Sequence, residues 1–157
     1  MIYLKDKKDF QIEEPTVVTI GKFDGRHRGH QKLLKTMLKI KEEYGYKTAV
    51  FTFSIAPADL VQGKRHTVIT TNLERKNNLG KMGMDYLVEY PFTQAASQMS
   101  AEDFVKNILV KQMNAKAIVV GTECGFGYKR SGNAKLLEEL SAVYGYQLVV
   151  IDKEKDD

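Results

Sequence analysis

The sequence predicts an α/β fold in which a parallel β-sheet is buried between helices. Short apolar runs rich in β-branched residues alternate along the chain with longer segments of helical period. No linker, repeat or low-complexity tract interrupts that alternation. Strands that alternate with helices in this way form parallel sheets, and 157 residues suffice for one domain with its own core.

Five segments have the apolar, β-branched character of buried strands, and each is five to eight residues long. We therefore expect a five-stranded parallel sheet with helices on both of its faces. The predicted strands are TVVTI (16–20), KTAVFTFS (47–54), DYLVEY (85–90), KAIVVG (116–121) and QLVVID (147–152).

Four segments between these strands have helical periodicity and recognisable ends. In the first, Leu34 and Met37 belong to an apolar stripe, and Gly45 ends the helix. The third opens with Ser100 and Asp103 at the spacing of a capping box. The predicted helices cover residues 30–45, 71–83, 100–113 and 133–145, of which the second has the weakest pattern.

Composition and charge narrow the functional class. The chain has 24 basic and 20 acidic residues, a net charge of +4 that gives a mild preference for anionic ligands. Lysines mix with acidic residues at helical spacing and are not concentrated beside aromatic residues, so we expect no nucleic-acid partner. No apolar run reaches the roughly 18 residues of a membrane span, so we expect no membrane partner. The single cysteine, Cys124, predicts a cytoplasmic protein.

Two strand exits are rich in glycine, and the first also carries histidines. The run GKFDGRHRGH follows Ile20, and GTECGFG follows Val120. Ligands of parallel sheets bind beyond the carboxyl ends of the strands. His27 and His30 lie three residues apart on the first turn of a helix that we expect to begin near His27 or Arg28, so they share a face.

This histidine turn has the residue types of a phosphate site. The helix start offers free N–H groups, and each imidazole can donate a hydrogen bond to a phosphate oxygen. Glycines at 21, 25 and 29 let phosphates approach the backbone closely. Two other interpretations stay open: zinc ligands, although no third ligand lies at metal spacing, or surface histidines without a role. A Walker loop is excluded because no Gly-Lys-Ser/Thr follows.

The run GKFDGRHRGH resembles the G-N-F-D-G-V-H-x-G-H signature of the prokaryotic FMN adenylyltransferase (FAD synthetase) domain. That domain is the N-terminal part of bifunctional riboflavin kinase/FMN adenylyltransferases, within the H-x-G-H nucleotidyltransferase group. The similarity continues in order along residues 17–151. FTFSIAPADL resembles F-T-F-E-P-H-P-x-x-L, PFTQAASQMSAEDF resembles P-F-D-x-x-F-A-x-L-S-A-E-x-F, and VVGTECGFGYKRSG resembles V-V-G-x-D-F-R-F-G-x-x-R-x-G.

The resemblance implies a Rossmann-like nucleotidyltransferase that transfers AMP from ATP to FMN, with magnesium, giving FAD and pyrophosphate. It assigns His27 and His30 to catalysis through contacts with the triphosphate. The implied ATP-binding residues are Gly21, Lys22, Phe23, Asp24, Gly25, His27, Gly29 and His30. The implied FMN-binding residues are Phe53, Pro57, Glu123, Phe126, Gly127 and Ser131, and Glu123 is also a candidate magnesium ligand.

The chain departs from the family pattern mainly on the flavin side. Ala56 stands where the pattern has histidine, and Ala96 and Cys124 stand where it has aromatic residues. Two stacking surfaces for an isoalloxazine ring are therefore missing. On the ATP side, Arg26 and Arg28 add cations that either strengthen anion binding or are solvated.

Three functions remain open at this stage. The first is AMP transfer to FMN, and the second is nucleotidyl transfer to another phosphorylated acceptor. The third is a non-catalytic nucleotide-binding module, because the family's I-S-S-T-x-x-R element does not occur in residues 1–157. We accordingly expect one nucleotidyltransferase domain over 1–157, apparently truncated before that element, with small-molecule nucleotides as partners and without the riboflavin kinase domain of the family.

Overall fold

The computed structural model describes residues 1–5, 8–21, 28–53, 77, 79–91, 93–122, 124–127 and 131–152, with only the backbone at 28–30. Its strands are β1 (Ile2–Lys5), β2 (Thr16–Ile20), β3 (Lys47–Phe53), β4 (Tyr86–Tyr90), β5 (Ala115–Gly121) and β6 (Gln147–Ile151). Its helices are α1 (Arg28–Tyr44), α2 (Gln94–Ser97), α3 (Ala101–Asp103), which continues as the π-helix π1 (Phe104–Gln112), and α4 (Ala134–Tyr144).

The strands form one parallel sheet in the order β1-β4-β3-β2-β5-β6. This confirms the predicted α/β class, and every predicted strand is present. The sixth strand, β1, was not predicted. It is a four-residue edge strand whose ends are exposed, so its local pattern is weak. Its formation depends on pairing with β4, in the register Ile2 to Tyr86, across more than eighty residues.

The helices cover both faces of the sheet, as predicted. Successive strand residues point to opposite faces, so Val17 and Val18 belong to two different cores. The α1 face contains Val17 with Leu34 and Met37 of α1. The opposite face, covered by π1 and α4, contains Val18 with Phe104 and Leu137 among others. The fully buried strands explain the near-continuous apolar runs of the sequence.

The helix ends follow the local signals in the sequence. The Ser100 hydroxyl accepts a hydrogen bond from the amide of Asp103 at 3.1 Å, which confirms the predicted N-cap. Gly45 ends α1 with φ +76°, and its N–H bonds the carbonyl of Lys41 at 2.8 Å. Of the weak helix predicted over 71–83, residues 77 and 79–81 are helical, and 71–76 and 78 lie outside the described residues.

At the amino end of the sheet, Asp85 ties α1 to β3 and β4. Its carboxylate accepts hydrogen bonds from the Thr48 amide at 3.0 Å, the Thr48 hydroxyl at 3.1 Å and the Lys41 ammonium at 2.9 Å. Burial alone would raise the pKa of Asp85, but the hydrogen bonds from Thr48 and Lys41 outweigh burial and lower that pKa from its ordinary 3.8. This network holds the end of the sheet opposite to the glycine-rich exits.

Candidate active site

The two glycine-rich exits predicted from the sequence meet at the centre of the sheet. β2 and β5 are neighbours, and the strand order runs outward from them in opposite directions. The helix that follows β2 packs on one face, and α4, which follows β5, packs on the other. This topology predicts a crevice at the carboxyl ends of β2 and β5, beside Gly21 and Gly121. Such a switch point is where open α/β sheets bind ligands.

The helix α1 begins at this crevice. The structure describes this helix from Arg28 onward, and the backbone of Gly29 and His30 belongs to its first described turn. A helix of 17 residues presents free N–H groups and the positive end of its dipole at that point. No acidic residue lies in its first turn to compete for those groups. The start of α1 can therefore bind an anion such as phosphate.

The structure describes only part of the predicted ATP set. Gly21 continues the strand β2, since its N–H donates to the carbonyl of Phe51 at 3.1 Å. The side chain of His30 is not described, and the remaining predicted residues Lys22, Phe23, Asp24, Gly25 and His27 lie outside the described residues. The assignment of the two histidines to the triphosphate stays a prediction.

A chain of aromatic rings lies under the crevice on the face opposite to α1. Phe53 ends β3, and its ring meets the edge of Phe51 at 5.3 Å between centroids. Phe51 contacts Phe104 at 4.9 Å, and Phe104 contacts Phe126 at 5.4 Å. Two predicted flavin residues, Phe53 and Phe126, are thus connected through two buried rings and belong to one packed body. Tyr90, which sequence reasoning did not single out, contacts both Phe51 and Phe53, at 5.8 and 6.3 Å.

The loop after β5 packs closely against the start of α3. Phe126 and Gly132 exchange backbone hydrogen bonds at 3.1 and 2.8 Å, and the Phe126 ring leaves no room for a side chain at 132. Gly127 has φ +79°, and a Cβ there would lie 2.7 Å from the Cα of Ala101. Phe126 is buried and Ser131 is exposed. Pro57 and Glu123 lie outside the described residues, so the predicted flavin set is only partly placed.

Two residues that differ from the family pattern, Ala96 and Cys124, pack against the same core. Ala96, on α2, and Cys124, in the loop after β5, are both half-buried and pack against the cluster that contains Phe104 and Phe126. The amide of Cys124 donates to the carbonyl of Gly121 at 3.2 Å, at the strand exit. Small side chains therefore occupy two positions at the edge of the core that contains the aromatic chain.

A buried hydroxyl beneath α1 was missed by sequence reasoning. Thr19, in the apolar run TVVTI, is 0% exposed, and its Oγ1 has no hydrogen-bond partner among the described residues. Threonine is a common strand residue, so its place in a β-branched run is expected. Nothing in the sequence therefore indicates that this hydroxyl is buried.

Within the described residues, no group of three or more His, Cys, Asp or Glu side chains could hold a metal ion. None of the helices that the structure describes combines the length and the apolar character needed to cross a membrane.

The sequence model of the FAD synthetase family matches residues 9–157. The chain belongs to the FAD synthetase family. This confirms the family predicted from the motifs.

A solved structure described as a macrolide-efflux protein from Streptococcus pneumoniae superposes on this family member with a TM-score of 0.79 at 26% identity, over 99% of this chain and 51% of that one. Pantothenate synthetase from Thermus thermophilus superposes with a TM-score of 0.52 at 14% identity, over 97% of this chain and 61% of that one, a likeness of fold alone.

The curated relatives of this chain are longer than the chain itself. The bifunctional riboflavin kinase/FMN adenylyltransferase of Buchnera aphidicola (subsp. Schizaphis graminum) is 34% identical over 142 residues, 90% of this chain and 46% of that protein. The protein of the same name from Escherichia coli K12 is 31% identical over 137 residues, 87% of this chain and 44% of that protein. The FAD synthetase of Listeria monocytogenes is 37% identical over 132 residues, 82% of this chain and 52% of that protein. The chain spans about half the length of the curated relatives it matches.

Proposed function

We propose that this chain transfers the AMP moiety of ATP to the phosphate of FMN, giving FAD and pyrophosphate. The observation that carries this proposal is that α1 follows β2 at the point where the strand order reverses between β2 and β5, and the sequence there has the H-x-G-H motif. Membership of the FAD synthetase family supports the same assignment. Relatives named FMN adenylyltransferase or FAD synthetase support FMN as the acceptor.

The reaction is a displacement at phosphorus. A phosphate oxygen of FMN attacks the α-phosphorus of ATP in line, the new P–O bond forms, and the bond to the β-phosphate oxygen breaks. Pyrophosphate leaves with the electron pair of that bond. No protein nucleophile is needed, so the protein acts by positioning the two substrates and by stabilising charge on the leaving group.

The chain has the groups for both tasks. The free N–H groups of α1 and the imidazoles of His27 and His30 would neutralise charge on the triphosphate. Magnesium would arrive with the nucleotide, since it binds through substrate phosphates and one or two carboxylates, for which Glu123 is the candidate. The flavin ring would lie beside Phe53, which is half-buried at the end of β3.

A second function has a specific observation in its favour. Ala96 and Cys124 are small, and they pack against the core that contains the aromatic chain, at positions where the family pattern has aromatic residues. An acceptor other than FMN, one that carries a phosphate but no three-ring flavin, would need fewer stacking surfaces there. The ATP half of the reaction would be the same in both cases.

The test measures product formation by the purified chain. ATP and FMN with Mg²⁺ should yield FAD and pyrophosphate in equal amounts, and His30→Ala should lower kcat by about a hundredfold or more, the usual cost of losing one charge-stabilising donor. Lys39→Gln is the matched control, because Lys39 is exposed on the same helix and its loss should leave kcat unchanged. Pyrophosphate release that is faster with another phosphorylated acceptor would favour the second function. Binding of ATP with no turnover on any acceptor would leave a nucleotide-binding module.

A further inference from the structure

The strand β6 lies at an edge of the sheet but has the sequence of an interior strand. Four of its five residues are apolar, and they alternate between the two faces: Leu148 packs against one core and Val149 against the other. Strands that are apolar on both faces are typical of the buried middle of a parallel sheet. In β6 all four are half-buried or exposed, with Val150 at 40%, whereas Val120 of the neighbouring β5 is 1% exposed. Apolar surface of β6 therefore remains accessible on both faces of the sheet.

The two edges of the sheet differ in how far they resist further pairing. Proteins limit pairing at an edge with a short strand, a lysine, a proline or a bulge. The edge strand β1 has four residues and ends in Lys5. The other edge strand, β6, has no charged residue and no proline, and it pairs with β5 in a regular register from Gln147 to Ile151. Among the described residues no strand pairs with its outer side, which is suited to accept one.

A groove of about 360 Å³ lies between this edge and α4. Lys135 and Glu138 of α4 line it, and both are exposed and three residues apart, so they share one face of the helix. Neither has an ion-pair partner among the described residues. The other residues that line the groove are Ala134, Ser141, Leu148 and Val150. An occupant that fits this groove presents apolar side chains to β6 and one charge of each sign to α4.

We propose that the occupant is a second copy of this chain, whose β6 pairs with this β6 in antiparallel orientation. This inference goes beyond the proposed function and does not depend on it. A two-fold axis makes the contact self-complementary, because each copy meets the same surface that it presents. The apolar residues of β6 then cover those of the partner strand on both faces of one continuous sheet.

The charges on α4 favour a second copy over an unrelated strand. The same two-fold axis sets the two α4 helices antiparallel. Lys135 then lies opposite the partner's Glu138, and Glu138 lies opposite the partner's Lys135. A single pair of side chains, three residues apart, thus forms two ion pairs across the axis and leaves no charge of the groove unpaired.

Sedimentation equilibrium of the purified chain measures the Kd of the dimer. The wild type should be a reversible dimer with a Kd of roughly micromolar order, as expected for an interface of modest area. Val150→Lys places two like charges within the contact, so it should raise that Kd by about a hundredfold or more. Val143→Lys is the matched control. Val143 is 66% exposed on α4 but does not line the groove, so this variant should keep the wild-type Kd.

Charge reversal tests the two-fold arrangement itself. Lys135→Glu and Glu138→Lys should each raise the Kd by about tenfold, because each change turns two attractive contacts of the symmetric dimer into repulsive ones. The double variant exchanges the two charges and should return the Kd to within about threefold of the wild-type value. Both residues are exposed, so the melting temperature of the diluted, monomeric chain should stay the same in all three variants.

Four results overturn the inference. The first is a chain that stays monomeric up to about 1 mM. The second is a dimer that Val150→Lys leaves intact or that Ile2→Lys, on the exposed end of β1, disrupts instead. The third is a double variant that dimerises no better than the two single variants. The fourth comes from hydrogen exchange: if the amides of β6 are equally protected at all protein concentrations, another segment of the same chain covers this edge.

Discussion

Gly127 offers the sharpest test of how the loop after β5 is held. Its φ is +79°, and a Cβ at this position would lie 2.7 Å from the Cα of Ala101 and 2.9 Å from the Ala101 nitrogen. These are backbone atoms at the start of α3, so they cannot move aside as the end of a flexible side chain would. Gly127→Ala must displace either the loop or the helix start.

Gly145 is the matched control, because it has the same backbone conformation with open space around it. Its φ is +81°, and nothing lies within 4 Å of the position that a Cβ would take. Gly145→Ala should therefore lower the free energy of unfolding only through the strain of a left-handed alanine. Alanine also reduces the entropy of the unfolded chain, which offsets part of that strain, so the net loss should be about 1 kcal/mol. The clash at Gly127 should add about 2 kcal/mol, for a total of about 3 kcal/mol.

Urea unfolding measures both values directly. For a domain of this size the expected losses correspond to melting temperatures lower by about 3 °C for Gly145→Ala and about 9 °C for Gly127→Ala. The affinity for FMN should fall in Gly127→Ala and be unchanged in Gly145→Ala. Equal losses of stability in the two variants would refute the reasoning, since the contact with Ala101 would then add nothing.

Two further predictions concern local electrostatics and capping. Because folding lowers the pKa of Asp85, its contacts with Thr48 and Lys41 stabilise the protein above the ordinary pKa, and that stabilisation is lost as the pH falls through the folded pKa. Asp85→Asn should thus cost about 1 kcal/mol in urea unfolding at pH 7 and progressively less below pH 4 or so, and a difference that is constant with pH would contradict this. Ser100→Ala should lower the free energy of unfolding by about 1 kcal/mol through loss of the N-cap. Ser97→Ala, which removes a half-buried hydroxyl that donates to the carbonyl of Gln94, should change that free energy by less than about 0.5 kcal/mol, and equal losses would count against the cap.

The predicted elements were correct wherever a strong local pattern marked them. The strand Thr16–Ile20 has the predicted bounds, and α1 ends at Tyr44, directly before the predicted terminator Gly45. The strand β1 was missed because four residues with exposed ends carry little periodicity, and their pairing with β4 supplies the stability. The π-helical form of Phe104–Gln112 was also beyond prediction, because its apolar stripe is compatible with an ordinary α-helix.

The sequence predicts the phosphate side of the candidate site more fully than the flavin side. Glycines and histidines next to a buried strand predict a phosphate site from the sequence, and α1 follows that strand in the structure. The burial of Phe126 depends on its contact with Phe104 of π1, on the other side of β5 in the chain, and Cys124 packs against the same core. The unpaired hydroxyl of Thr19 could not be seen at all, because threonine is also an ordinary strand residue.

The sequence by itself determined the α/β class, the helix ends and the family, because periodicity, caps and motifs act over a few neighbouring residues. Only the tertiary structure decided that β2 lies beside β5, so that two exits a hundred residues apart form one crevice. It also decided that Gly127 lies close to Ala101 and that Thr19 is completely buried. These properties arise from burial between distant segments, and no local pattern records which segments will meet.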